Sequence, residues 1–190
     1  ELLYEQLDTL KDDDVLVLAG SIPSGMPQSI YRDIMSRLQS KRIKIAVDAT
    51  KDLLMNVLAY HPFVIKPNNH ELSEIFDIMI DSKEKAVVYA KELQKKGAQN
   101  VIVSMAGEGA VFVGSDGSVF TSEAPHGVVK NSVGAGDSMV AGFLAGYLAK
   151  GDYAEAFKMG LCTGSASAFS DQLATREEVE QVRRSHIFDF

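Results

Sequence analysis

The sequence predicts one α/β domain of three layers, in which a mostly parallel sheet carries helices on both faces. Short apolar runs recur along the chain with helical stretches between them, and one late turn reverses the chain direction. Each run has the length and the continuous apolar character of a strand that is buried on both faces. The runs lie at residues 15–18, 43–47, 63–65 and 101–105.

Between the first two runs, residues 27–39 have the pattern of an amphipathic helix. Pro27 suits the first turn of such a helix. The apolar residues recur at helical spacing, at Ile30, Ile34, Met35 and Leu38. Because crossovers from strand to helix to strand are right-handed and build parallel sheets, we expect ligands to bind beyond the carboxyl ends of the strands.

After the fourth run, the chain predicts an antiparallel hairpin. Residues 110–114 and 118–121 have the composition of two strands, and the Ser-Asp-Gly sequence at 115–117 is typical of the turn between them. The parallel sheet should therefore gain an antiparallel edge at this point.

Two helices are predicted beyond the hairpin. The first spans residues 136–150 and ends before Gly151, and the second spans about 154–170. Small residues on the second helix allow close approach of a neighbouring backbone, and a tight helix contact explains them fully. They are Gly160, Gly164, Ser165, Ala166, Ser167 and Ala168.

Composition and charge describe an ordered globular protein and argue against several functions. The 190 residues carry a net charge of -7, and basic residues cluster only in short pairs, which argues against nucleic-acid or anionic-membrane binding. The longest nearly apolar stretch, residues 139–149, is too short to span a bilayer. Cys162 is the one cysteine and lies in an apolar helical pattern, so we expect a core residue in a reducing, cytoplasmic protein.

The most informative segment is a glycine-rich loop that passes directly into a helix. The first amides of a helix lack intrahelical partners, so here they can face an anion. If that anion is a phosphoryl group, Asp137 beside it can accept the proton of an attacking hydroxyl. Alternatively, Asp137 is a plain first-turn acid or helix cap. The segment consists of Gly134, Ala135, Gly136 and Asp137.

Residues 131–144, NSVGAGDSMVAGFL, resemble the second signature of the PfkB carbohydrate kinase family, a ribokinase-like group. The match includes the Gly-Ala-Gly-Asp core and the small residues Ala141 and Gly142 behind it. The resemblance implies a ribokinase-like fold and ATP as the phosphate donor. It also implies that Asp137 is the proton acceptor and that the amides of residues 134–137 hold the transferring phosphoryl group.

A second segment lies at the carboxyl end of the third apolar run. Asn68 and Glu71 resemble the family's Asn-x-x-Glu motif, which implies a role in binding Mg²⁺ and phosphate, often through water. The same pair also fits an N-terminal capping box. Lys66 could offer a point charge to the phosphates of ATP, or it could face solvent.

A third segment connects the fourth run to the hairpin and is similar to the family's nucleotide loop. Its glycines would let backbone groups reach ATP, whereas a Gly-x-Gly sequence alone also fits a simple turn. The residues are Ser104, Met105, Ala106, Gly107, Glu108 and Gly109.

Residues 20–25, GSIPSG, and residues 47–49, VDA, add a likeness to family members that act on sugar phosphates. The expected reaction is ATP-dependent phosphorylation of a small-molecule sugar phosphate, foremost fructose 1-phosphate to fructose 1,6-bisphosphate. The alternatives are tagatose 6-phosphate, another sugar, a nucleoside or a vitamin precursor as acceptor, and a non-enzymatic ATP-binding module. A homodimer is a candidate assembly.

The resemblance covers residues 1–190 as a single ATP-binding and catalytic portion but reaches only the later part of such a kinase. In the family, the earlier part supplies further strands, most sugar contacts and a β lid that shields the site from water. We therefore expect an exposed sheet edge in this chain and reduced or absent turnover by the chain alone.

Overall fold

A computed structural model of the chain describes residues 2–190, and six of its strands form one sheet in the order of the sequence. The first four strands pair in parallel, and the last two pair antiparallel at one edge. The predicted mostly parallel sheet with an antiparallel hairpin is thus confirmed. The strands are β1 (Val15–Ala19), β2 (Lys44–Asp48), β3 (Val64–Ile65), β4 (Asn100–Ser104), β5 (Ala110–Val113) and β6 (Val119–Ser122).

Helices precede, separate and follow these strands. Two short 3-10 turns, at Leu58–Tyr60 and Ala106–Glu108, complete the regular structure of the described chain. The helices are α1 (Leu2–Asp8), α2 (Ile30–Leu38), α3 (Lys51–Met55), α4 (Asn69–Phe76), α5 (Lys83–Lys95), α6 (Ala135–Lys150), α7 (Tyr153–Phe169) and α8 (Arg176–Ser185).

The sheet separates two apolar cores because alternate residues of each strand face opposite sides. Val101 and Val103 of β4 join the core formed with α1 to α5, whereas Ile102 joins the core formed with α6 and α7. This arrangement explains the continuous apolar runs, since both faces of each central strand are covered. The three-layer prediction is confirmed.

Helices α6 and α7 pack so closely that several glycines have no room for a side chain. A Cβ added to Gly142 would lie 2.5 Å from Thr163 Oγ1, and one added to Gly160 would lie 3.0 Å from the carbonyl oxygen of Met139. The tight helix contact predicted from the small residues is therefore confirmed. Cys162 is fully buried in the same helix, and burial raises the pKa of its thiol to about 11, as expected for a core residue.

The start of α2 differs from the prediction that placed Pro27 in the first helical turn. The helix begins at Ile30, whose N–H donates to the Pro27 carbonyl at 3.0 Å. Pro27 thus opens a turn ahead of the helix, because a residue without N–H and with a fixed φ suits a turn equally well. Throughout residues 2–190, none of the helices combines the length and the apolar character needed to cross a membrane.

Strand β1 lies at the edge of the sheet opposite the hairpin. Val17 on this strand is 45% exposed, although valine usually packs inside a parallel sheet. The exposed edge expected from the sequence is therefore present, and it adjoins the carboxyl end of β2.

Candidate functional site

The N-terminus of α6 has amides that point to no protein partner. Its N-cap, Gly134, has a φ of 79° and no side chain that could cap the helix. Among residues 2–190, no acceptor lies within hydrogen-bond distance of the N–H groups of Gly134, Gly136 and Asp137. A helix end with free N–H groups and the positive end of its dipole is suited to bind an anion.

The loop before α6 is held from behind by α7. The N–H groups of Lys130 and Asn131 donate to the Ala168 carbonyl at 2.8 and 3.2 Å, and Asn131 Oδ1 accepts from the N–H of Val133 at 3.0 Å. Gly134 has a φ of 79°, so glycine is needed there for its backbone conformation. The loop is thereby fixed in position ahead of the helix.

A buried pair of hydroxyl groups anchors the first turn of α6. Ser167 Oγ on α7 donates to Ser138 Oγ at 2.9 Å, and it accepts from the N–H of Ala174 at 3.1 Å. Ser138 directly follows Asp137, so this contact fixes the backbone from which the carboxylate projects.

Asp137 is exposed, and its side chain makes no hydrogen bond within the described residues. Asp137 is therefore not a cap, because the N-cap position belongs to Gly134 and no side chain caps this end. The alternative of an acidic residue in the first turn of the helix is confirmed. Asp137 is one of the residues that line a pocket of about 170 Å³. The other residues of the pocket are Val17, Ala19, Asp48, Val140 and Ala141.

Lys66 is buried beside this helix end. Its Nζ lies 3.3 Å from Asp48 Oδ2 and 3.1 Å from the position that a Cβ on Gly136 would take. The interpretation of Lys66 as a solvent-facing lysine is therefore wrong. The structure places its ammonium group next to the free amides, where a positive charge favours an anion.

Asp48 is a residue of this site to which the sequence motifs gave no role. Burial raises the pKa of its carboxyl group, the charge of Lys66 opposes that shift, and the charges of Asp137 and Glu71 add to it. Its position at the carboxyl end of β2, next to the strand that ends before Lys66, is the signal that could have identified it.

Asn68 and Glu71 form a complete capping box on α4. Asn68 Oδ1 accepts from the Glu71 N–H, and Glu71 Oε2 accepts from the Asn68 N–H, both at 2.8 Å. The capping interpretation is confirmed for both residues. It leaves Glu71 Oε1 without a role in the cap.

These residues fit a magnesium ion only through water or phosphate ligands. Within residues 2–190, no group of three or more His, Cys, Asp or Glu side chains is arranged to hold a metal ion. Mg²⁺ usually keeps several waters and takes one or two carboxylates besides substrate phosphates. One free carboxylate oxygen beside an anion site meets that requirement.

The segment from Ser104 to Gly109 forms a compact turn beside Asn68. The N–H of Ser104 donates to the Pro67 carbonyl at 3.1 Å, and the N–H of Met105 donates to the Gly109 carbonyl at 2.8 Å. A Cβ at Gly109 would lie 2.0 Å from the Ser122 carbonyl oxygen, so packing alone explains that glycine.

The remaining residues of this turn differ in what they can offer a ligand. The side chain of Met105 is buried, so only its backbone could reach a nucleotide. Ala106, Gly107 and Glu108 are exposed, and a Cβ at Gly107 would meet nothing within 4 Å. The structure thus brings the three predicted segments together at the carboxyl ends of the parallel strands. The simple-turn interpretation accounts for part of the third segment, residues 104–109.

Comparison with known proteins gives one family and close relatives. The model of the pfkB family of carbohydrate kinases matches residues 1–178. A 1-phosphofructokinase from Bacillus subtilis is 44% identical over 178 residues, covering 94% of this chain and 58% of that protein. A D-tagatose-1-phosphate kinase from Bacillus licheniformis is 30% identical over 167 residues, covering 87% of this chain and 55% of that protein.

A solved structure shares the fold. Phosphofructokinase-2 from Escherichia coli, in complex with substrates and products, superposes with a TM-score of 0.88 at 27% identity, covering 96% of this chain and 60% of that chain. The chain therefore spans less than two thirds of the length of each of these proteins.

Proposed function

Because the chain belongs to the pfkB family of carbohydrate kinases, we propose that it carries the phosphate-transfer site of an ATP-dependent sugar-phosphate kinase. The observation that carries this proposal is the pairing of free amides at Gly134, Gly136 and Asp137 with an exposed carboxylate in the same helical turn. The free amides suit a phosphoryl group, and the carboxylate suits the proton of an attacking hydroxyl.

In the proposed mechanism, each side chain has one task. The amides of α6 and the Lys66 ammonium group stabilise the negative charge on the phosphoryl group during transfer. Asp137 accepts the proton of the acceptor hydroxyl at its exposed carboxylate. Proton acceptance does not require the Asp137 side chain to leave an internal partner, because it has none within the described residues.

The cofactors in this proposal are ATP and Mg²⁺. Glu71 would hold the metal ion through water, and Asn68, whose N–H donates to Glu71 Oε2, would orient that carboxylate. The ion would neutralise charge on the phosphate oxygens. Ala106, Gly107 and Glu108 would line the nucleotide with exposed backbone groups.

The proposed acceptor is fructose 1-phosphate, with fructose 1,6-bisphosphate as the product. The identity of 44% to a 1-phosphofructokinase supports this choice. Similarity to a D-tagatose-1-phosphate kinase favours tagatose 1-phosphate as the second candidate, ahead of the tagatose 6-phosphate expected from sequence. The first two acceptors share a phosphate on C1, so the site would recognise a ketohexose 1-phosphate.

We further propose that residues 1–190 form one catalytic portion and that sugar contacts and a lid lie in a part of the kinase outside them. The exposed Val17 on β1 and the exposed Ala141 on α6 are the surface where such a part would pack. A homodimer stays a candidate assembly, and cytoplasmic residence stays a proposal.

The test is an acceptor screen with the full-length protein that contains this chain, run in parallel with the 190-residue chain. With ATP and Mg²⁺, we expect the highest kcat/KM for fructose 1-phosphate, a lower value for tagatose 1-phosphate, and little transfer to fructose 6-phosphate, tagatose 6-phosphate, ribose or nucleosides. Tight ATP binding without transfer to any acceptor would favour a non-enzymatic module instead. Equal turnover by both chains would contradict the proposed division of the kinase.

A further inference from the structure

We propose that Asp48 is a positioning residue that holds the Lys66 ammonium group at the mouth of α6, an inference that rests on the kinase function proposed above. Nothing in the sequence motifs gives Asp48 a role. Its contact with Lys66, and the contact of Lys66 with the space above Gly136, are what point to it.

The register of the sheet brings the two side chains together. Strands β2 and β3 are parallel neighbours, with Ala46 opposite Val64 and Val47 opposite Ile65. The next residues along the two strands are Asp48 and Lys66. Because side chains two residues apart share a face, Asp48 and Lys66 lie on the face of Ala46 and Val64, which packs against α6.

The pair is shielded from solvent, so the charge of Lys66 depends on Asp48 for compensation. The Lys66 side chain is 9% exposed and the Asp48 side chain 18%, and within residues 2–190 Asp48 is the one carboxylate within 4.0 Å of Lys66 Nζ. Removing one member of a buried ion pair leaves the other charge without compensation. The flexible lysine side chain would then have no ion pair that keeps Nζ beside Gly136.

The geometry leaves donors for a ligand. An ammonium group has three N–H donors, and its one ion pair occupies the Asp48 side of Nζ. Gly136 also lies next to Nζ, and its missing Cβ keeps the space beside the free amides open. A phosphate bound by the amides of α6 would therefore meet Lys66 only while Asp48 holds it there.

A double-mutant cycle in the full-length protein tests this inference. Asp48→Asn keeps the shape of the side chain and removes its charge. We expect kcat/KM for ATP to fall at least about tenfold, in line with the cost of misplacing a group that orients a substrate. Lys66→Met should produce a similar loss, and the double variant should lose no more than Lys66→Met alone, because Asp48 acts through Lys66.

Two further measurements separate positioning from a structural role. Calorimetric titration should show that Asp48→Asn weakens ATP binding more than ADP binding, since Lys66 is expected to meet the terminal phosphate. The matched control is Glu74→Gln, which breaks the exposed Lys51–Glu74 pair (3.2 Å) and should leave all these values unchanged.

Losses that multiply in the double variant, an equal weakening of ATP and ADP binding, or unchanged kinetics in Asp48→Asn would overturn the role of Asp48. A wild-type protein that binds ATP but phosphorylates no sugar phosphate would refute the proposed function instead. In that case the comparison of ATP with ADP still decides whether Asp48 positions Lys66.

Discussion

The N-termini of α4 and α6 are the same kind of element and are used in opposite ways. Both begin near the carboxyl ends of parallel strands. On α4, Asn68 and Glu71 satisfy each other's backbone N–H groups at 2.8 Å. On α6, Gly134 stands at the N-cap with no side chain, and the amides of Gly136 and Asp137 have no partner within the described residues.

The difference teaches that a missing cap is itself a functional signal. Replacing a capping asparagine with glycine costs only about a few tenths of a kcal/mol, so the glycine start of α6 gives up little of the stability that the cap of α4 supplies. Helix α6 recovers stability through its close packing on α7 and through the Ser138–Ser167 contact at 2.9 Å. The free amides can then serve a ligand. We therefore expect activity to be more sensitive to changes at the uncapped N-terminus of α6, the open end, than to changes at the capped N-terminus of α4, the closed end.

The largest effect should follow from removing the carboxylate at the open end. We expect Asp137→Asn to lower kcat by about 10²–10⁴-fold, the contribution of a positioned general base, while the affinity for ATP stays close to that of the wild type. Steady-state kinetics with fructose 1-phosphate and calorimetric titration with an ATP analogue measure the two quantities. A parallel loss of kcat and nucleotide affinity would indicate damage to the fold instead.

A methyl group at the open end should have the next largest effect. In Gly136→Ala the new Cβ would lie 3.1 Å from Lys66 Nζ, so it displaces the ammonium group and narrows the space for phosphate. We expect kcat/KM for ATP to fall about 10- to 100-fold, as for other small misplacements near a reacting group. Val88→Ala, at an exposed position of α5, is the control. Kinetics of Gly136→Ala equal to those of this control would mean that no phosphate binds at Gly136.

The smallest effect should come from the closed end, where Glu71→Gln separates capping from metal binding. Glutamine preserves a capping box, so the free energy of unfolding should change by no more than about 0.5 kcal/mol. We expect the variant to need several times more Mg²⁺ for half-maximal activity, because a neutral amide attracts the hydrated ion less.

The matched control for that experiment is Glu178→Gln. Glu178 forms the same capping box with Thr175 at the start of α8, where none of the predicted site residues lies. Its Mg²⁺ requirement should equal that of the wild type. If the two variants respond alike to Mg²⁺, Glu71 has no role beyond the cap.

Much of the fold could be predicted from sequence because its signals are local. The apolar runs mark strands buried on both faces, and the spacing of Asn68 and Glu71 marks a capping box. The Gly-Ala-Gly-Asp segment likewise marks the passage from a loop into α6, although the sequence left open whether Asp137 caps that helix. Each of these signals lies within a few residues and depends on backbone geometry that the chain fixes by itself.

The Asp48–Lys66 pair could not be predicted in the same way. The residues are separated by an entire helix and a 3-10 turn, and only the register of β2 and β3 places them side by side. The burial of Lys66 has the same origin, since it depends on where α6 packs. The start of α2 was placed wrongly for a local reason, because Pro27 fits a turn as well as a first helical residue.

The most direct test of the account is a crystal structure of the full-length protein with fructose 1-phosphate and a non-hydrolysable ATP analogue. We expect the terminal phosphate to accept hydrogen bonds from the amides of Gly136 and Asp137, at about 3 Å between nitrogen and oxygen. The acceptor hydroxyl should lie beside the Asp137 carboxylate. A terminal phosphate bound at another edge of the sheet, with these amides facing only water, would contradict the account.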